Sequence, residues 1–377
     1  MLLKQDCRHF PGDRPCTYHK ETGVHCPECE HYEVADRHIL IIKLDAIGDV
    51  LRTTSILPGL REKYPKAHIT WVTLNSATAI FHQNKLVDAP VAYESPETLP
   101  LLSVKKFDLV INLDSSPKSS ALTSFVHAKE KLGFGLNEQG KVFCLNKEAE
   151  PWFEMGAFDD IKKKNVKTYQ QLMLEICRLQ TKNFEIILSL SMNELERTKQ
   201  FREGLRLPPT AFVIGMNTGA SERWEMKKWT LEGYKGLIQK IVSETEHVIV
   251  LYGGKQEYER NLELQQVNPQ RVHIANTENS LREFFSLLSA SDIVITGDTL
   301  ALHAATALQK RVIAIFGPTS IAEIETYGRV RKVVSDVMEC QCYYRPVCTE
   351  TTNCMNTIST ERIYAILQEE IQKLPRH

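Results

Sequence analysis

The sequence predicts an α/β protein built from two doubly wound domains, each a parallel sheet covered by helices on both faces. Three observations predict it. Short, fully apolar runs alternate with helix-length amphipathic stretches, the pattern of strands buried on both faces and joined by crossovers. The alternation comes in two series, separated by a polar, proline-containing stretch between about Thr181 and Pro209. The chain has 377 residues, more than one hydrophobic core usually spans, and 42% hydrophobic with 25% charged residues suits globular packing.

The elements follow in order. The first strand is HILIIKL, and a short loop with Gly48 leads from it into a helical pattern through Val50, Leu51, Thr54, Leu57 and Leu60 that closes before Pro65. Strands follow at HITWVTL and FDLVINL, with helices around residues 119–127 and 166–179. The second series opens on AFVIGMN, after Pro208 and Pro209. It continues through a helix at 229–243, the strand HVIVLYGG, a helix at 256–266, the strand VHIA, a helix at 281–290, the strand DIVIT, a helix at 300–308 and the strand RVIAIFG. A last helix at 360–374 puts Ile363, Ile366, Leu367, Ile371 and Leu374 on one stripe and must dock on a domain. The expected divisions are a Cys/His-rich extension at 1–35, domains at 36–182 and 183–335, and a Cys-rich tail with the last helix at 336–377.

Charge and cysteine usage narrow the function. Against 47 acidic residues stand 46 basic ones, a formal net charge of -1, which argues against a nucleic-acid partner. The longest apolar runs are strand-sized and far short of a membrane span. The opening MLLKQDCRHFPGDRPC lacks the apolar core of a secretory signal, so a cytoplasmic location is expected. Eight of ten cysteines gather in two groups, Cys7, Cys16, Cys26 and Cys29 at one end and Cys340, Cys342, Cys348 and Cys354 at the other. In a reducing compartment two groups of four thiols point to metal rather than disulfides. The first group has His9, His19, His25 and His31 among it. Tetrahedral zinc fits either group, and iron or an iron–sulfur centre fits the same ligand types. If the last helix packs on the first domain, the two groups form one site. Cys144 and Cys177, between them, read as buried apolar residues.

Ligands of open parallel sheets gather at the carboxyl ends of the strands, which selects four segments. In LDAIGDVLRTT, Asp49 stands at a helix start, either as a cap or as a carboxylate base. In MNTGASERWEMKKWT, Thr218 and the flexible Gly219 can donate to phosphate oxygens, and Lys227 or Lys228 can supply a positive charge; two lysines on a solvated face are the alternative. In ITGDTLALHAATAL, Gly297, Asp298 and Thr299 precede a helix whose N–H groups can hold a diphosphate, with Asp298 suited to a sugar hydroxyl. His303, one turn on, is either a packed residue or a ligand contact. In LDSSPKSS, Lys118 can bind an anionic acceptor or simply face solvent. Neither GxxxxGK[ST] nor GxGxxG occurs at these places, so a nucleoside triphosphatase and an ordinary nicotinamide dehydrogenase are unsupported.

In their order and spacing, LDAIGDVLRTTSILPGLREKYP, LDSSPKSS followed by EKLGFG, NTGAS followed by KKWT, and GDTLALHAATAL followed by FGPTS resemble glycosyltransferase family nine, the ADP-heptose:lipopolysaccharide heptosyltransferases, over about residues 37–335. The resemblance implies a GT-B architecture, two Rossmann-like domains facing across a cleft. It also implies inverting transfer from ADP-heptose to a lipopolysaccharide core acceptor, no metal in the chemistry, and peripheral work at the inner face of the inner membrane. Carried over by position, Asp49 looks like the catalytic base and Lys227 like the lysine that neutralises the departing diphosphate. Thr218 with Gly219 looks like the phosphate turn, Asp298, Thr299, Leu300 and His303 like the donor-sugar segment, and Arg52 and Lys118 fall on the acceptor side. Leu300 departs from the glycine often found there, which alters the donor fit. Three readings compete: a protein heptosyltransferase, a GT-B epimerase acting on UDP-N-acetylglucosamine, and a catalytically silent sugar-nucleotide-binding or metal module, against which the presence of Asp49 and Lys227 together argues. An epimerase needs no acceptor, so the Asp49 motif favours transfer.

Overall fold

The computed structural model describes all residues except Ser221, Gln341, Pro346, Arg376 and His377, with Glu222 and Arg223 described by backbone alone. The chain forms two units, one from Met1–Phe158 with Tyr169–Ile187 and one from Asp159–Thr168 with Leu188–His377.

The first unit holds β1 (His38–Ile42), β2 (His68–Thr73), β3 (Ala89–Ala92), β4 (Lys106–Asn112), β5 (His127–Leu136) and β6 (Val142–Cys144), in the order β3-β2-β1-β4-β5-β6. Every neighbouring pair is parallel except β5 with β6. The second holds β7 (Val213–Asn217), β8 (Val248–Tyr252), β9 (Val272–Ile274), β10 (Ile293–Gly297), β11 (Arg311–Ile315) and β12 (Val330–Val333), in the order β12-β11-β10-β7-β8-β9 and parallel throughout. Ile39, Leu40, Ile41 and Ile42 are all fully buried, as are Ile293, Val294 and Ile295, because helices cover both faces of these central strands. Two Rossmann-like units are therefore present, as the sequence predicts.

In each sheet the strand order reverses beside the first strand of the series, between β1 and β4 and between β7 and β10. Loops leaving two such neighbours diverge to opposite faces and open a crevice at their carboxyl ends. The helices Ile47–Thr53 and Pro117–Phe125 begin after β1 and β4, and Leu300–Ala307 begins after β10. All four chemistry-bearing segments thus leave strands at a switch point.

The structure corrects several expectations. The polar stretch at 181–209 is no simple linker: it contains the helix Met192–Gly204, whose start is fixed by a capping box between Ser191 and Glu194. The chain passes between units at 187/188, and Asp159–Thr168 groups with the second unit. The helix expected to reach His127 ends at Phe125, because His127 already opens β5. The last helix, Thr360–Ile371, belongs to the second unit rather than the first: Ile363, Tyr364, Ile366 and Leu367 enter a core with Ile238, Ile241 and Ile313. Glu370, 2% exposed, is paired there with Arg311 and with Lys373 at 2.6 Å. The two cysteine groups accordingly lie in different units.

Leu367→Ala removes a fully buried side chain from this core. It is expected to destabilise the second unit by about 3 kcal/mol, the scale for a Leu→Ala cavity. Chemical denaturation of the variant beside wild type measures the loss; an unchanged midpoint would refute the docking.

Candidate active site

In the first unit, Asp49 sits at the third residue of the helix Ile47–Thr53, whose N-cap is Ala46 and carries no side-chain cap. The helix is therefore not capped by Asp49. Its carboxylate, 37% exposed, accepts from Arg52 at 2.8 Å. Arg52 is itself turned inward, its guanidinium 3.7 Å from the ring centroid of Tyr169. The Tyr169 hydroxyl in turn meets Thr53 Oγ1 at 2.5 Å, and Thr53 Oγ1 donates to the Asp49 carbonyl at 2.5 Å. Arg52 thus fixes the carboxylate from one side, its own side chain 11% exposed.

A buried ion pair lies behind this carboxylate. Lys43, at the end of β1, is paired with Asp114, the aspartate of LDSSPKSS, and donates to the Asp45 carbonyl at 3.0 Å. Asp114 also accepts the Leu44 N–H at 2.6 Å, so it ties the loop after β1 to the loop after β4. Burial alone would favour the neutral amine, but Asp114, with Tyr169 and Asp49, lifts the Lys43 ammonium above its usual range. Lys118 is exposed at the start of Pro117–Phe125, its ammonium 5.5 Å from the Tyr93 ring centroid. It remains available to an anion.

In the second unit, Lys227 Nζ donates to the Asp298 carboxylate at 3.0 Å and to the Asp298 carbonyl at 3.0 Å. Two glycines make this juxtaposition. A Cβ on Gly297 would lie 2.1 Å from the Lys227 carbonyl oxygen, and one on Gly317 would lie 2.5 Å from that of Met226. The EMKK backbone therefore comes close to Gly297, the last residue of β10, and to Gly317, just beyond β11, because neither residue carries a side chain. Thr299 caps Leu300–Ala307, its hydroxyl accepting from Ala301 N at 3.2 Å. Asn217 reaches the same hydroxyl at 3.3 Å and the Gly219 carbonyl at 2.9 Å. Leu300 opens the helix and His303 lies 7% exposed within it.

Thr218 differs from expectation. It is fully buried, donates its hydroxyl to Asn261 at 2.6 Å and its N–H to the Tyr252 carbonyl at 3.1 Å. Thr218 therefore braces the turn and has neither donor left for a phosphate. Lys228 is paired too, with Glu225 at 3.0 Å and with buried Glu257 at 3.4 Å. Glu257, which sequence reading passed over, caps the turn after β8 by accepting Gly254 N at 2.9 Å, and a Cβ on Gly219 would strike it at 2.7 Å. The paired glycines of YGGKQE were its only signal.

Gly297→Ala should push the Lys227 backbone aside and lower donor affinity on the order of tenfold, a modest case of catalytic misplacement. Titration with the nucleotide-sugar measures it, and unaltered affinity would show that the close approach is unimportant.

Beyond β11, Tyr344 N donates to the Pro318 carbonyl at 2.7 Å, Ser320 N to the Tyr344 hydroxyl at 3.4 Å, and that hydroxyl to Glu323 at 3.3 Å. Tyr344 also meets Trp224 edge-on, and the Lys227 ammonium is 5.4 Å from the Trp224 ring centroid. Tyr344 comes from within the second cysteine group. There Cys340 and Cys342 have sulfurs 3.6 Å apart, Cys340 is hydrogen-bonded to Cys354, and Cys342 to Cys348. Four thiolates around one tetrahedral ion at about 2.3 Å would be spaced by about 3.8 Å, so the spacing fits such a group. Among the described residues, however, no three His, Cys, Asp or Glu side chains already converge on a single ion position.

With a carboxylate at one switch point and a lysine, an aspartate and a helix start at the other, the two Rossmann-like units have the GT-B architecture. A family model described as glycosyltransferase family 9 (heptosyltransferase) matches residues 101–353. The chain belongs to that family and is a glycosyltransferase. The lipopolysaccharide core heptosyltransferase OpsX of Haemophilus influenzae is 21% identical over 317 residues, covering 80% of this chain and 85% of that protein. Among solved structures, the ADP-heptose lipopolysaccharide heptosyltransferase II of E. coli is similar with a TM-score of 0.64 at 20% identity, over 89% of this chain and 99% of that one. The iron-containing dodecameric glycosyltransferase TibC of enterotoxigenic E. coli is similar with a TM-score of 0.55 at 13% identity, over 91% of this chain and 78% of that one.

Proposed function

We propose that the chain transfers heptose from ADP-heptose to a hydroxyl of a lipopolysaccharide core, with inversion at the anomeric carbon. The observation that carries this reading is the pairing of Lys227 with Asp298 beside the start of Leu300–Ala307. A cation, a helix start and a carboxylate there suit a diphosphate linked to a polyol. Heptose and its ADP carrier are supported by what the relatives are named for, OpsX and the E. coli enzyme.

In this mechanism Asp49 takes the proton from the acceptor hydroxyl as the oxygen attacks. Positive charge grows at the anomeric carbon and negative charge on the departing diphosphate. Lys227 and the helix N–H groups stabilise that second charge more in the transition state than in the ground state. Binding of the diphosphate draws Lys227 toward the phosphates, and the Asp298 carboxylate turns to the sugar hydroxyls. Lys118 attracts an anionic acceptor. An acceptor of this class is lipid-linked, so transfer takes place peripherally at the inner face of the inner membrane; no helix among the described residues is long and apolar enough to cross one.

The proposal extends to a structural zinc or iron at Cys340, Cys342, Cys348 and Cys354, supported by the thiol contacts and by the iron of TibC. The ion would hold Tyr344 against Pro318, Ser320 and Glu323. Brief chelation should leave turnover unchanged, while prolonged chelation should weaken donor binding as that turn loosens, followed by metal analysis and donor titration in parallel. Immediate loss of activity would assign the ion to the chemistry instead.

A calorimetric panel of ADP-heptose, UDP-sugars and GDP-sugars tests the donor. Selective binding of ADP-heptose, with transfer to purified core lipopolysaccharide, is expected. Conversion of UDP-N-acetylglucosamine without an acceptor, or transfer to protein alone, would overturn the reading.

A further inference from the structure

Residues 1–34 contain no buried side chain, yet they are folded. They form the helix Thr17–Thr22, the 3-10 turn Cys26–Glu28 and an antiparallel bridge between Cys7 and Val34. Fixing each backbone residue costs about 1–2 kcal/mol of conformational entropy, which an apolar core normally offsets. Here the middle of the segment is a cavity of about 500 Å³ instead, lined by Cys7, Cys16, Cys26 and Cys29 together with histidines and Tyr18. All four thiols are half-buried and outside any disulfide.

The cysteines come from three separate pieces of backbone. Cys7 belongs to the bridge, and Cys26 and Cys29 form a knuckle in which Cys29 N donates to the Cys26 carbonyl at 3.4 Å. Cys16 occupies the N-cap of Thr17–Thr22, where Ser, Thr, Asp or Asn would be favoured, and makes no capping hydrogen bond. A residue that breaks a local rule without local gain has its use elsewhere. The histidines are engaged as cover: His19 contacts the Val24 carbonyl through Nδ1 at 2.9 Å and stacks on His25, and His31 stacks on Tyr18. Arg8, next to Cys7, joins Glu33, Asp88 and the Pro65 carbonyl at 3.0–3.2 Å, fastening the segment to the first unit.

We infer that Cys7, Cys16, Cys26 and Cys29 hold a thiophilic metal centre of zinc or iron, independent of the second cysteine group, and that it replaces the apolar core this segment lacks. No three ligands have yet converged among the described residues, so binding draws the thiols inward into the cavity and releases their protons. The proposal does not depend on the sugar-transfer reading.

The test is metal analysis of the full chain purified under reducing, anaerobic conditions, beside Cys26→Ser/Cys29→Ser and, separately, Cys342→Ser/Cys348→Ser. The first variant is expected to lose about one centre per chain that the second retains. Zinc and iron are separated by elemental analysis, and an iron–sulfur cluster by its visible absorption and acid-labile sulfide. Wild-type protein provides a second measurement free of folding artefacts. Alkylation mapped by mass spectrometry should find all four N-terminal thiols protected until a chelator is added. Metal content unaffected by Cys26→Ser/Cys29→Ser, or rapid alkylation of the four thiols in freshly purified wild type, would overturn the inference.

Discussion

Asp49→Ala is expected to slow transfer by ~10²-fold or more, the scale for losing a general base, while donor affinity stays nearly intact. The separation follows from position: Asp49 belongs to the first unit, whereas the lysine and helix start that suit the diphosphate belong to the second. Alanine also leaves Arg52 without its 2.8 Å partner, so Asp49→Asn is the necessary companion. The amide preserves volume and can accept from Arg52, but it cannot take up the acceptor proton. Both variants should show a fall in kcat with little change in the donor's Kd. Wild-type turnover in either would falsify the assignment of Asp49 as base.

Lys227→Ala is expected to weaken donor binding and turnover together, with kcat/KM down on the order of 10²-fold, as for the loss of one charge-stabilising donor. Two effects add. The cation facing the diphosphate disappears, and Asp298, whose side chain is 15% exposed, loses the ammonium 3.0 Å away, so its negative charge beside the diphosphate is less neutralised. The double variant Lys227→Ala/Asp298→Ala should therefore recover part of the donor affinity and none of the turnover. Calorimetry with ADP-heptose and steady-state kinetics separate the two quantities. Unchanged binding and rate in Lys227→Ala would remove Lys227 from the site.

The central strands were legible because burial on both faces imposes an unbroken apolar run, as in β1 and β11, and no other arrangement hides it. Three short strands were not: β3, β6 and β12 have only 3 or 4 residues, too few to show a period, so pairing with a neighbour makes them strands. The helix Met192–Gly204 had a signal in its capping box, overlooked because its exposed, polar composition reads as a linker. The positions of Asp49, Lys227, Asp298 and Thr299 were legible, since each lies in a segment that follows a strand and so leaves a sheet's carboxyl edge.

The sequence by itself determined two series of buried strands, the order of the segments at their ends, and the glycines that let Lys227 approach β10. Only the tertiary structure decided what each polar group faces. Arg52 turns to Asp49 because Tyr169, 116 residues beyond Thr53, closes over it. Thr218 turns inward because Asn261 waits there, and the last helix settles in the second unit because Ile238, Ile241 and Ile313 offer its stripe a core. Periodicity is a property of neighbours along the chain and survives in the sequence. Partner choice depends on groups brought together from distant positions, where each buried donor or charge must find an acceptor or remain unsatisfied at a cost of about 1–3 kcal/mol.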